Sequence, residues 1–368
     1  MRLVYLSPVP WESFAQRPHK FVGWFYSRTG GAVLWVDPYP TRFPKLQDLW
    51  RRQPLASNSH HRNMPTWLTV LKLRGLPIEP LPGSGWVNSQ LWQYRLQQVC
   101  KFANHSNAVV AVGKPSVFAL EILKRLRHSP TLYDAMDDFP AFYTGFSRLA
   151  LARREAAIAQ RVDLISASSS ELKSRWERNH KDVRLVHNGL DLLAMQHVTG
   201  EPALSEKKIF GYVGTIASWF DWAWICALAK LRPNDEVRLI GPVFEQSACK
   251  LPSNVKMLPT CDHAAGLLAM KQFHVGLIPF KKTTLTASVD PIKYYEYRAF
   301  GLPVISTNFG EMSLRSGQRG VFITKSEYDL SAMVQAALLF KGDAGLDRVF
   351  AKENTWEARF DAAGFLPL

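Results

Sequence analysis

The chain has 368 residues, 47% hydrophobic and 21% charged, which excludes a disordered or fibrous chain and leaves room for two domains with separate cores. Its formal charge of +14 points to anionic partners, whether nucleic acid, a lipid surface or phosphorylated small molecules. No apolar run reaches the ~18 residues of a membrane span, and the opening MRLVYLSPVP turns at Pro8, too early for a signal peptide. Four cysteines without CxxC or zinc-finger spacing read as scattered thiols, so the expectation is a cytoplasmic chain with no metal site.

From the N-terminus, the apolar segments RLVYLS, AVLWVD, AVVAVG, TLYDAM, DLISAS and VRLVHN alternate with helix-like stretches, the pattern of βαβ units and a parallel sheet. The loop SPVPWESFAQRPHKF after the first segment carries Ser7, Gln16, Arg17 and His19, a polar and basic group suited to an acceptor-side phosphate or, equally, to a solvated turn. Residues 41–92 break the rhythm and place Trp50, Trp67, Trp86 and Trp92 among Arg, Lys and Pro. Such a mixture suits a membrane surface with cations over anionic headgroups, and equally an α/β excursion with Trp in the core.

TLYDAMDDFPAF brings Asp134, Asp137 and Asp138 together beyond a strand's carboxyl end, the edge where α/β sheets bind ligands. Crowded carboxylates raise at least one pKa toward that of a general base, although helix capping or a solvated turn also accounts for them. Helical stretches LARREAAIAQRVD and SSSELKSRWERNH follow, then an Asn-Gly turn in HNGLD. Residues 193–207 lack either period and read as a linker.

A second alternating series, KIFGYVG, EVRLIGP, VKMLPT, HVGLIPF, PVISTN and GVFIT, gives domains of 1–192 and 208–345, with 346–368 returning to the first as a terminal helix. In FGYVGTIASWFDW, Gly214 and Thr215 end a strand where backbone N–H groups could hold a phosphate, though glycine is common in such turns for geometry alone. In DPIKYYEYRAFGLPVIST, Asp290 is placed as a helix cap with Pro291 first in the helix, and Lys293 in the first turn opposes the helix dipole unless an anion is near. Glu296 shares its face and suits sugar or ribose hydroxyls; the plain alternative is a surface Lys–Glu pair.

Taken in order, SPVPW…QRPHKF, YDAMDDF, SSSEL…VHNGLD, GYVGTIASWFDW, RLIGP and DPIKYYEYRAFGLPVIST resemble the GT-B glycosyltransferases of the family 4, teichuronic-acid and exopolysaccharide type, over nearly the whole chain. The resemblance implies an α/β fold of two Rossmann-like doubly wound domains facing a central crevice. It implies a nucleotide-sugar donor (UDP or GDP) on the second domain and a saccharide acceptor on the first; the basic, Trp-rich segment adds the expectation that this acceptor is lipid-linked and met at the inner membrane face.

On this resemblance Gly214, Thr215 and Lys293 contact the diphosphate, Asp290, Tyr294 and Glu296 complete the donor site, and Ser7, Gln16, Arg17 and His19 face the acceptor. Asp137 or Asp138 stands at the acceptor-side catalytic position, and no cofactor or metal is implied. Retaining members carry a second glutamate separated by seven residues from the position of Glu296, where this chain has Ser288, so the pattern leans toward inversion with an Asp base, and the retaining alternative needs Asp290 to cover the missing acid. The competing readings are a nucleotide-sugar epimerase of the same architecture and a basic nucleic-acid-binding protein, the latter without any recognisable nucleic-acid module.

Overall fold

A computed structural model describes residues 1–43, 64–104, 107–198, 207–248 and 250–366. The chain divides into two compact units, Met1–Val186 with Ala363–Leu368, and His187–Ala362. Trp50 of the expected interfacial segment lies outside the described residues.

The first unit holds β1 (Arg2–Leu6), α1 (Arg17–Thr29), β2 (Ala32–Val36), β3 (Leu68–Leu71), α2 (Ser84–Asn104), β4 (Ala108–Val112), α3 (Val117–Arg125), β5 (Thr131–Ala135), α4 (Gly145–Ala159), β6 (Leu164–Ala167), α5 (Ser170–Glu177) and β7 (Val183–Leu185). Its seven strands lie in the order β3-β2-β1-β4-β5-β6-β7. Every adjacent pair is parallel. Helices cover both faces of such a sheet, so the central strands are apolar on both sides; every residue of β4 is buried.

The second unit comprises α6 (Leu192–Gln196), β8 (Ile209–Val213), α7 (Trp222–Leu231), β9 (Glu236–Ile240), β10 (Val255–Leu258), α8 (His263–Lys271), β11 (Val275–Ile278), α9 (Thr284–Ala287), α10 (Ile292–Ala299), β12 (Val304–Thr307), α11 (Gly310–Leu314), β13 (Val321–Thr324), α12 (Leu330–Leu339), α13 (Ala344–Glu353) and α14 (Trp356–Ala362). Six parallel strands run in the order β10-β9-β8-β11-β12-β13. Each sheet reverses its order once, between β1 and β4 and between β8 and β11. A ligand crevice in a doubly wound sheet opens at such a point, at the carboxyl edge.

Two glycines exist for close packing. A Cβ on Gly211 would meet the Phe273 ring at 2.2 Å and one on Gly276 the Tyr297 ring at 2.4 Å, so the ring of Phe273 just after α8 and that of Tyr297 on α10 rest directly on β8 and β11.

The boundaries differ from the sequence-based ones. The division falls at Val186/His187, because residues from His187 onward are tied into the second unit. Asn188 N donates to Asp290 at 2.7 Å, Leu190 pairs with Thr355, and Asp191 caps α6 through Ala194 N at 3.0 Å. The start of the expected linker is therefore helix, and 199–206 lie outside the described residues. The terminal helix α14 also belongs to the second unit, anchored by Trp356 N to Leu190 O at 3.2 Å; only Ala363 onward joins the first. Within the irregular segment, Trp92 is fully buried in the core and Trp67 stacks on Tyr26, whereas Trp86 is exposed.

Candidate functional site

At the carboxyl edge of the first sheet, Asp134, the penultimate residue of β5, is fully buried. Its carboxylate accepts from Arg17 Nε at 2.9 Å and from Tyr5 OH at 3.0 Å. Arg17 also donates to Ser166 Oγ at 2.9 Å and to Val186 O at 2.7 Å. A cation in the first turn of α1 opposes the helix dipole, and Asp134 offsets that cost while the guanidinium joins β5, β6 and the end of β7. Arg17 is thus a buried cross-link, not the open phosphate contact that sequence suggested.

The other acceptor-side residues are likewise engaged locally. Ser7 Oγ closes a turn on Val9, accepting from its N–H at 3.1 Å and donating to its carbonyl at 2.7 Å. Gln16 N–H donates to His19 Nδ1 at 3.3 Å, which leaves Nε2 to donate to Trp11 O at 3.0 Å and fixes His19 as the neutral tautomer. The ring sits against Trp11 and Trp35.

Past the strand end the two neighbouring acids diverge. Asp138 Oδ1 accepts from Arg175 Nη1 at 3.0 Å. The same guanidinium reaches Glu155 Oε2 at 2.5 Å, and Tyr133 OH donates to Glu155 Oε1 at 2.6 Å. Asp137, half-buried, has no hydrogen-bond or ion-pair partner among the described residues. Burial pushes its carboxyl up to about 7 against the pull of Arg17, with Asp134 and Asp138 adding to the rise. A carboxylate with that pKa and an open lone pair is equipped to take a proton near neutrality. Sequence reasoning found the acids but not Arg175 or Glu155, which lie on separate helices and carry no local motif.

At the carboxyl edge of the second sheet, the turn after β8 is built by glycines back to back: a Cβ on Gly241 would stand 2.2 Å from Gly214 O. Gly214 N–H donates to Ile240 O at 2.9 Å and Ile216 N–H to Pro242 O at 2.9 Å. Thr215 O accepts from Tyr212 OH at 2.8 Å, while the Thr215 N–H has no partner among the described residues. The expected amide cradle therefore reduces to Thr215. Nor does a helix follow at once: α7 starts at Trp222 and is capped by the Asp221 carboxylate, 3.0 Å from Trp224 N.

Lys293 and Glu296 do meet. Lys293 Nζ lies 2.5 Å from Glu296 Oε2, and His263 Nε2, at the start of α8, lies 2.9 Å from Oε1. Glu296 is buried, which works to raise its pKa, but Lys293 and His263 outweigh this and hold it below the ordinary value. The first-turn lysine is therefore neutralised by its own helix, in a buried pair rather than the surface pair weighed from sequence. Lys293 keeps two further N–H donors, and each Glu296 oxygen a second lone pair, for a ligand. His263 was missed because it lies 33 residues upstream.

Asp290 and Tyr294 do not join this group. The N-cap of α10 is Pro291, not Asp290. The Asp290 carboxylate is buried and accepts from Asn188 N–H, from Tyr295 OH at 3.0 Å and from Arg315 Nη2 at 2.6 Å. Tyr294 is buried beneath the Arg315 guanidinium, 4.0 Å above its ring, and donates to Gln318 Oε1 at 2.8 Å. Both side chains are thus enclosed by contacts within the second unit. Among the described residues no three His, Cys, Asp or Glu side chains cluster as metal ligands.

No family model matches the chain. Its sequence is 26% identical over 204 residues to the Bacillus subtilis (strain 168) protein described as "Putative teichuronic acid biosynthesis glycosyltransferase TuaH", covering 50% of this chain and 51% of that one. The chain thus spans about half the length of the curated relative it matches. Among solved structures, Anabaena HepE in complex with UDP and glucose superposes with a TM-score of 0.65 at 14% identity, covering 100% of this chain and 99% of HepE. Sucrose-phosphate synthase from Thermosynechococcus elongatus gives 0.64 at 14% identity, covering 99% and 95%. With its two doubly wound parallel sheets, the chain has the GT-B fold of these solved structures, and over about half its length it is similar to a protein described as a putative glycosyltransferase.

Proposed function

We propose that the protein transfers a sugar from a nucleotide-sugar, with UDP as the carrier, to a hydroxyl of a saccharide acceptor in cell-surface polysaccharide synthesis. The acceptor is lipid-linked and is met at the inner face of the membrane. The observation that carries the reading is Asp137: an unpaired carboxylate at the sheet's carboxyl edge with its pKa pushed up to about 7. As the acceptor oxygen bonds to the anomeric carbon, its proton passes to Asp137, and the bond from that carbon to the diphosphate oxygen breaks. Direct displacement inverts the anomeric centre.

On the second unit, Lys293 and the Thr215 N–H receive the leaving diphosphate's charge without a metal, and Glu296, steadied by His263, accepts a ribose or sugar hydroxyl. The choice of UDP is supported by HepE, which was solved with UDP and with UDP-glucose. The no-metal reading is supported by the lysine already placed at the helix start.

A panel of UDP- and GDP-sugars tested by thermal shift, followed by product anomer analysis with a saccharide acceptor, tests the proposal. UDP-sugars are expected to raise the melting temperature and to give the inverted anomer in EDTA. Retention of configuration, or stabilisation by GDP-sugars only, would overturn it.

A further inference from the structure

We infer that the first unit carries a docking surface for an anionic lipid bilayer, formed by the outward faces of the amino-terminal halves of α2 and α4. On α2, Trp86, Leu91 and Tyr94 are exposed, Trp86 to 73%; around α4, Phe142, Phe146 and Leu149 are exposed, Phe146 to 79%. Isolated apolar residues on a surface are ordinary, but aromatic clusters on two helices that flank α3, whose one acid, Glu121, is paired with Lys124 and Arg125, are not. Both helices start at the carboxyl edge of the sheet, since each leaves a strand there and returns to begin the next. The ion pair of Arg154 Nε with Glu79 Oε1, at 3.1 Å, ties α4 to the segment leading into α2, and α3 packs against both. The apolar exposure stops halfway along each helix, so it belongs to the edge that also carries Asp137.

Charge identifies the occupant. Residues 72–104 and 139–161 contain just two acids, Glu79 and Glu155, both fully buried and paired with arginines. Arg74, Arg148 and Arg153 are exposed and make no ion pair among the described residues. Large aromatic and aliphatic side chains flanked by unopposed arginines match an interface of acyl chains beneath anionic headgroups, with roughly 1 kcal/mol per basic residue from the surface potential. Segments whose own acids are buried and paired, with exposed aromatic tips, offer less to a protein partner of mixed charge. This deepens the lipid-linked acceptor reading, which gives the surface its purpose, while the observations above stand without it.

Flotation of the full chain with phosphatidylglycerol-containing vesicles, against phosphatidylcholine vesicles, tests the inference. Wild type is expected to float with the anionic vesicles only. Combining Trp86→Glu, Leu91→Glu and Phe146→Glu should reduce flotation by ~10-fold or more, with UDP-sugar thermal shifts unchanged as proof of folding. Arg148→Glu with Arg153→Glu, which leaves the apolar face intact, should weaken flotation in a salt-dependent way. Failure of wild type to float, equal flotation of the variants, or a change confined to self-association in sedimentation would overturn the surface. Loss of sugar transfer with flotation intact would instead count against the proposed reaction alone.

Discussion

Asp138 Oδ1 lies 3.0 Å from Arg175 Nη1, and this contact separates the roles of two adjacent acids. Asp138 is held by an arginine that also holds buried Glu155, whereas the carboxylate of Asp137 has no such partner among the described residues. Asp137→Asn should lower kcat by ~10²-fold or more, the usual worth of a general base, with the donor KM little changed. Asp138→Asn should keep most turnover and show its effect in thermal stability. Steady-state kinetics of the two variants separates them, and equal turnover in both would move the base elsewhere.

The pKa of Asp137 sets opposite pH trends for reaction and fold. As the base proposed above it must be ionised, so kcat/KM should fall as pH drops through about 7. For stability the sign is reversed: a carboxyl whose folded pKa is raised contributes stability at low pH that is lost as pH climbs through about 7. A pH–rate profile and melting curves across the same range are expected to slope in opposite directions, and Asp137→Asn should flatten part of the melting trend.

The strands were legible because a buried parallel sheet demands apolar runs. All twelve segments singled out by pattern are strands. The thirteenth, Leu68–Leu71, escaped because it has four residues with mixed burial and sits in a Trp-rich stretch. At the sites, sequence order located the strand-end acids and the Lys293–Glu296 pair, both local features. What it could not show was which side chains satisfy one another across distant segments. Arg17 was read as open although Asp134 is 117 residues away, and Asp290 as a cap although Arg315 and Asn188 enclose it. Charge at a strand edge is visible in sequence; whether that charge is already neutralised is a tertiary property.

Arg315 tests that distinction. Removing one partner of a buried ion pair leaves an uncompensated charge, typically at a cost of ~3–5 kcal/mol. Arg315→Met should destabilise the second unit by about that amount, read by urea denaturation of its transition, and should leave the UDP affinity of folded protein unchanged. A selective loss of affinity with stability intact would place the Asp290–Arg315 pair in the donor site.

Lys293 is the converse case, a cation paired with Glu296 yet still holding two donors toward solvent. Lys293→Ala should weaken nucleoside diphosphate binding by ~10–100-fold, as expected for loss of a charged hydrogen bond, and affect the nucleoside alone far less. Calorimetric titration with UDP and uridine reads the difference. Equal loss for both ligands would show that the variant perturbs the helix rather than the diphosphate contact.

Gly241 and Gly23 offer a matched pair of glycine substitutions with opposite expected signs. At Gly241, φ is +140° and an added Cβ would lie 2.2 Å from Gly214 O, a backbone atom that cannot swing aside. Gly241→Ala should therefore cost ~1–3 kcal/mol from conformational strain before the clash is counted, and should shift the Gly214–Thr215 turn enough to reduce UDP affinity. Gly23 lies within α1 with open space where a Cβ would go, so Gly23→Ala should stabilise by ~0.5–1 kcal/mol through helix propensity. Melting temperatures of both variants, with UDP titrated into each, check the pair. If Gly241→Ala binds UDP normally, the turn after β8 is not part of the donor site, whatever its effect on stability.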